Sequence, residues 1–236
     1  MKLAVLSDLH LSTPGASCHF TYDLARALAA LDRIEATHDG LLIAGDLFDL
    51  NVGARYLDFG AELASARAAW RPLLERLERA AVAQVYGNND RHLRRLGVPE
   101  IVALDADGAR LLMMHGHQFE SEAAWLVWLK STVKWAAAWN QRQGVRGLGE
   151  ALYRVNALTS RPNPGHLDPL TRRALQTLQV TAGADILICG HTHAPRVEET
   201  PWGVYANSGA CSFGRFDWLS VDLSAREVTI QRDGLD

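Results

Sequence analysis

Cysteine is scarce in this chain. Cys18, Cys189 and Cys211 are 3 thiols in 236 residues, far apart and without a C-x-x-C pair. That excludes a disulfide framework and reads as reduced, apolar-packed cysteines of a cytosolic protein. No charge of one sign dominates: 24 Lys and Arg stand against 27 Asp and Glu, a formal −3. There is no global basic field for nucleic acid or an anionic membrane, and nucleic acid is not an expected partner. No apolar run reaches spanning length, because the longest, 123–139, is interrupted by Lys130, Ser131, Thr132 and Lys134. Residues 1–6 run straight into Ser7-Asp8-Leu9-His10, which leaves no room for a secretory leader, so a cytoplasmic location is expected. Peripheral contact with a membrane surface stays open. Internal repeats and low-complexity tracts are lacking as well. Against these absences stand 48% hydrophobic residues, 9 histidines and 7 tryptophans.

That apolar content suits one domain with a sizeable core, spanning 1–236, and the length leaves room for an insertion within it. Short apolar runs recur, and five of them end in polar, Gly or His residues. They are Leu3–Leu6 before Ser7-Asp8, Leu41–Ala44 before Gly45-Asp46, and Val82–Tyr86 before Gly87-Asn88-Asn89-Asp90. The others are Leu111–Met114 before His115-Gly116-His117 and Ile186–Cys189 before Gly190-His191-Thr192-His193. Runs apolar on both faces suit central strands under helices, and in α/β sheets ligands bind at the carboxyl ends of such strands. Between them, Leu24, Ala27, Leu28, Leu31 and Ile34 recur at helical spacing. A second helical stretch over 60–80 is interrupted at Arg71-Pro72, and Asp168-Pro169 caps and starts a third. After Pro201 the pattern turns to short strands at 203–206, 218–223 and 227–231.

The segment 119–167 fits this alternation least. It holds Trp125, Trp128, Trp135 and Trp139, a break at Gly144, Gly147 and Gly149, and the turn Arg161-Pro162-Asn163-Pro164-Gly165. At about 100° per residue the four Trp share one face with Leu129, Thr132 and Ala136, and Lys130 and Lys134 fall opposite. The plain expectation is a helix packing its Trp face on the core. A cap over the carboxyl edge, a dimer surface and a membrane-facing patch are the alternatives.

Chemistry concentrates in the five polar clusters. Asp8-x-His10 puts two donors on one side of an extended chain, Gly45-Asp46-x-x-Asp49 adds carboxylates, Asn88 a neutral oxygen, and His115, His191 and His193 imidazoles. Imidazole mixed with carboxylate and amide oxygen suits Mn, Fe, Zn or Co better than Ca, and the lack of thiolate argues against a structural zinc site.

With these five clusters in this order, the sequence resembles the calcineurin-like metallophosphoesterases from its first strand to about Gly209. The resemblance implies an α/β fold in four layers, two mixed sheets flanked by helices, on which 119–167 reads as a helical cap or insertion. It implies two divalent ions, Mn favoured and Fe, Zn or Co the alternatives. Asp8, His10 and His193 would hold one, Asn88, His115 and His191 the other, and Asp46 would bridge them. Asp49 and Asp90 would orient those ligands from behind. The implied reaction is hydrolysis of a phosphodiester, pyrophosphate or phosphomonoester by metal-bound hydroxide attacking in line.

One position departs from the family. Where many members carry His in the third motif this chain has Asn89, and an amide can bond a phosphate oxygen but supplies no proton at neutral pH. His117, His92 and His166 are candidates for that role, and Arg91, Trp128, Trp135 and His166 join Asn89 as candidate substrate contacts. Small bacterial phosphodiesterases share the His-Gly-His pattern and lack the third-motif His. The UDP-2,3-diacylglucosamine hydrolases of lipid A synthesis share the long helical insertion but usually carry Arg there. A general phosphodiesterase or pyrophosphatase is the first expectation and the lipid A enzyme the second. A third is a non-catalytic metal-binding scaffold, against which stands the full set of seven ligand positions.

Overall fold

The computed structural model describes residues 1–15, 17–120, 124–144, 168–181 and 183–233. The five apolar runs are strands, divided between two sheets. In the first, β1 (Lys2–Leu6), β2 (Gly40–Ala44) and β3 (Ala81–Val85) are parallel, and β9 (Asp217–Asp222) and β10 (Glu227–Arg232) continue antiparallel beyond β1, giving the order β10-β9-β1-β2-β3. In the second, β5 (Ala109–Met114), β6 (Ile186–Cys189) and β8 (Gly203–Asn207) are parallel between two antiparallel edges, β4 (Ile101–Ala106) and β7 (Arg196–Thr200).

Alternation along each strand builds the layers. Leu3 and Val5 of β1 and Leu42 and Ala44 of β2 meet Leu111, Met113, Ile186 and Ile188 between the sheets. Their neighbours Ala4, Leu6, Leu41 and Ile43 turn the other way, onto α1 (Leu24–Thr37) and α3 (Arg71–Ala80) through Ala27, Leu31, Ile34, Leu73 and Leu77. On the far side, Leu187 and Tyr205 pack under Leu170, Ala174 and Leu178 of α5 (Pro169–Val180). The result is the expected α/β fold, helix on sheet on sheet on helix. Helix starts follow local chemistry: the Asp23 carboxylate accepts from Arg26 N–H and the Asp168 carboxylate from Thr171 N–H, each capping a first turn. α2 (Phe59–Ala69) ends at Trp70, and α3 restarts with Pro72 in its first turn. The edge strands β4 and β7 are half exposed, and so is β3, which lies at the edge of the first sheet and not centrally as its apolar run suggests; β4 also opens on an apolar run, Ile101–Leu104.

One expectation is overturned. Helix α4 (Ala124–Arg142) does not bury its Trp face: Trp125, Trp128, Leu129, Val133 and Trp139 are exposed, and Ser131, Ala137 and Ala138 are buried. Its inward side carries Lys134 and lies on the loop that follows β2. There Thr132 meets the Tyr56 hydroxyl at 2.9 Å, Trp135 packs edge-on against Tyr56, and the Arg142 guanidinium donates to the carbonyls of Gly53 and Val52. The inner side is polar because the surface it covers is polar. The turn at 161–165 and His166 lie outside the described residues.

Candidate metal centre

The loops leaving β1 and β2 run side by side, joined by Asp8 N–H to Gly45 O at 3.1 Å, His10 N–H to Asp46 O at 3.0 Å and Leu11 N–H to Leu47 O at 2.9 Å. From the other sheet, Gly190 N–H donates to His115 O at 2.9 Å. Asp8, His10, Asp46, His191 and His193 adopt left-handed backbone, with φ of 54°, 52°, 50°, 72° and 55°. For non-glycine residues this conformation costs about 1–3 kcal/mol apiece and clusters at functional sites. Two neighbours must be glycine for another reason: a Cβ on Gly87 would fall on the Asp46 carboxylate, and one on Gly190 would stand 2.6 Å from Asp8 Oδ2.

These loops bring three side chains together at one point. His193 Nε2 lies 3.1 Å from Asp8 Oδ1 and 3.2 Å from His10 Nε2, and His10 Nε2 lies 3.6 Å from Asp8 Oδ1. The other oxygen of Asp8 is tied back by the Ser7 hydroxyl at 2.5 Å and by His191 N–H at 3.0 Å. Oδ1, fully buried, has no partner of acceptable hydrogen-bond geometry among the described residues. An orphaned, ionised buried oxygen facing two imidazole nitrogens is the arrangement a divalent cation completes.

A second grouping adjoins it. Asp46 Oδ2 is 3.3 Å from His115 Nε2 and 3.9 Å from His10 Nε2, so one carboxylate faces both sides. His115 gives its Nδ1 proton to Ala44 O at 2.8 Å, which turns Nε2 toward Asp46 and toward Asn88 Oδ1 at 3.2 Å. His191 stands next to it, rings 5.1 Å apart, with Nε2 3.0 Å from Glu120 Oε1. The Asp8, His10, His193 and the Asp8, Asp46, His115 sets are each compact enough to hold an ion.

Burial opposes charge on all of these groups, and neighbours decide the outcome. Burial raises Asp8, yet the charges of His193 and His115 hold it well below the usual carboxylate range, and Asp46 is held down against burial by His115. Burial alone would lower His115, but Asp46 and Asp8 push it up to about 10. His193, more affected by burial than by Asp8, is lowered.

Behind these residues, Asp90 accepts from Gly87 N–H at 2.6 Å and Phe48 N–H at 3.2 Å and so braces the second and third loops together. Burial and the Asp46 charge push it up to about 7. Asp49, fully buried, faces His19 Nδ1 at 3.2 Å and the Lys134 ammonium at 2.6 Å. Burial would raise it, but Lys134 and His19 hold it well below its usual range. His10, His19 and Asp49 form a third compact grouping, whose carboxylate is already neutralised by the Lys134 ammonium. Asn89 gives its backbone N–H to Asp46 Oδ1 at 2.8 Å and its amide N–H to Oδ2 at 2.5 Å. Its side-chain oxygen accepts from Asn51 at 3.1 Å and Lys134 at 2.8 Å.

The remaining candidates are less central. His117 lies beside His115, ring to ring 5.6 Å, and burial with the His115 charge pushes it down to about 4, so it is neutral at pH 7. His92 stacks on Phe59 at 3.7 Å and is likewise pushed down to about 4, by burial and by Arg91. Arg91 is lowered by burial and by Arg94. Trp128 is on the outward side of α4 and Trp135 on Tyr56; neither is brought to the cluster. Sequence reasoning missed His19, Asn51 and Glu120, which no strand delivers, and gave Lys134 no role in the site.

The profile of the calcineurin-like phosphoesterases matches residues 1–195. No curated protein matches the chain. Among solved structures, a novel archaeal phosphodiesterase is similar over 98% of this chain and 99% of its own, at 16% identity and a TM-score of 0.52, which bears on the fold alone. YfcE, a phosphoesterase from E. coli, aligns over 98% of each chain at 18% identity and a TM-score of 0.46. Zinc-complexed Vps29 from Entamoeba histolytica aligns over 98% of each chain at 18% identity and 0.47.

Proposed function

Since the chain belongs to the calcineurin-like phosphoesterase family, we propose that it is a two-metal phosphoesterase that hydrolyses a phosphodiester, pyrophosphate or phosphomonoester. In this reading Asp8, His10 and His193 hold one divalent ion, Asn88, His115 and His191 the other, and Asp46 lies between them. The observation that carries it is Asp8 Oδ1, buried without a hydrogen bond and facing His193 Nε2 at 3.1 Å, with Asp46 Oδ2 reaching toward both His10 and His115.

Two bound ions supply Lewis acidity toward phosphoryl oxygens and an activated water nucleophile. The chain's own groups fix the geometry. Ser7 and the His191 amide pin Asp8 Oδ2 so that Oδ1 faces inward, and Ala44 O pins His115 Nδ1 so that Nε2 does. Asp90 ties the loops that present Asp46 and Asn88. Segment 119–167 is read as an insertion, and its helix α4 covers the loop after β2. Asn89 is held by Asp46, Asn51 and Lys134, and an amide supplies no proton at neutral pH, which favours a substrate whose leaving group departs with little protonation.

Incubation of the purified protein with Mn and bis(p-nitrophenyl) phosphate tests the reading. Metal-dependent release of p-nitrophenol, lost in Asp46→Asn at matched metal content, supports it. Wild-type activity in that variant contradicts it.

A further inference from the structure

Helix α4 delivers a positive charge to the rim of the metal centre, and the site's own loops hold it there. Lys134 Nζ lies 2.6 Å from Asp49 Oδ2, at the end of the second loop, and donates to Asn89 Oδ1 at 2.8 Å on the third. The same Asn89 amide donates to Asp46 Oδ2, so the ammonium stands one amide group away from the carboxylate that faces both ligand groupings. The Lys134 side chain is 29% exposed, and the ammonium, with three donors, hydrogen-bonds Asn89 and is ion-paired with Asp49. Its charge is felt at His10 and His19, where it opposes protonation.

We propose that Lys134 binds an oxygen of the phosphoryl group, so that the insertion helix supplies part of the phosphate pocket. A lysine acts here as a point charge on a phosphate, which needs no fixed fork geometry. Asn89, which gives its backbone N–H and one side-chain N–H to Asp46 and accepts from the ammonium, sets the position of Lys134. This inference rests on the phosphoesterase reading for its substrate class.

The competing account is that Lys134 merely neutralises buried Asp49. Inorganic phosphate titrated calorimetrically into the Mn-loaded full-length protein separates the two, with wild type, Lys134→Met, Lys134→Arg and the double variant Lys134→Met with Asp49→Asn. The double variant removes the uncompensated carboxylate and guards against misfolding. The expected result is phosphate affinity at least tenfold weaker in Lys134→Met and still weak in the double variant, Lys134→Arg closer to wild type, and Mn content unchanged. KM for bis(p-nitrophenyl) phosphate rises in parallel. Unchanged affinity in Lys134→Met, recovery in the double variant, or no phosphate binding by the wild type overturns the proposal. Failure of the phosphoesterase reading shows separately, as a wild type that binds phosphate and hydrolyses no ester.

Discussion

The Nε2 atoms of His10 and His193, 183 positions apart in the chain, face each other at 3.2 Å with Asp8 Oδ1 beside them. Two imidazole nitrogens at that distance share either a proton or a cation. Their left-handed backbones, φ 52° and 55°, fix the approach at a conformational cost that a bound ion would offset. His193→Ala is expected to leave the fold intact and to lower Mn stoichiometry from two toward one. Elemental analysis after gel filtration at limiting metal reads this directly; an unchanged stoichiometry removes His193 from the ligand set.

Metal loading is expected to expel a proton from His115. With its pKa pushed up to about 10, the metal-free side chain is charged at neutral pH, and its Nε2 must become neutral to bind an ion. Apparent affinity should then rise by about tenfold per pH unit for that proton, below the raised pKa. Calorimetry in two buffers of different ionisation enthalpy measures the release, and no buffer dependence at pH 7 contradicts it. The sign for the metal-free fold is the reverse. Charged His115 contributes stability that is complete below its unfolded value of about 6.5, and this is lost as pH climbs through about 10.

Gly87 is expected to be irreplaceable. An added methyl would strike the Asp46 carboxylate, so Gly87→Ala should cost about 1–3 kcal/mol of stability and weaken metal binding together. Gly60, whose added Cβ would meet nothing nearer than 4.0 Å, makes the control: Gly60→Ala should be neutral or gain about 0.5 kcal/mol. Thermal denaturation of the two variants, with and without Mn, compares them.

The five polar clusters were legible because a short, mostly apolar strand precedes each; β1, β2 and β6 are buried almost throughout, whereas β3 is half exposed and its run includes Gln84. The capping carboxylates Asp23 and Asp168 were legible for the same local reason. The edge strand β7 was not, since a half-exposed strand needs no such run, and β4 was passed over although it opens on Ile101–Leu104. Helix α4 misled because amphipathic patterning assumes an apolar destination. Here the helix lies on a charged site, so Lys134 and Ser131 turn inward and Trp125 and Trp139 outward.

The orientation of α4 has its own check. Trp125→Ser and Trp139→Ser should each shift stability by less than about 0.5 kcal/mol. Ala138→Leu, on the buried side, should cost about 1–3 kcal/mol by overpacking. A large loss from either Trp variant, in urea unfolding, would reverse the assigned faces.

The central claim is that convergent carboxylates and imidazoles hold ions that hydrolyse phosphate esters. The most direct measurement is the rate of bis(p-nitrophenyl) phosphate hydrolysis as Mn is added back to chelator-stripped protein. Activity that is absent without metal and saturates near two ions per chain is the predicted result. A protein that binds Mn but hydrolyses no ester with any divalent ion would contradict it.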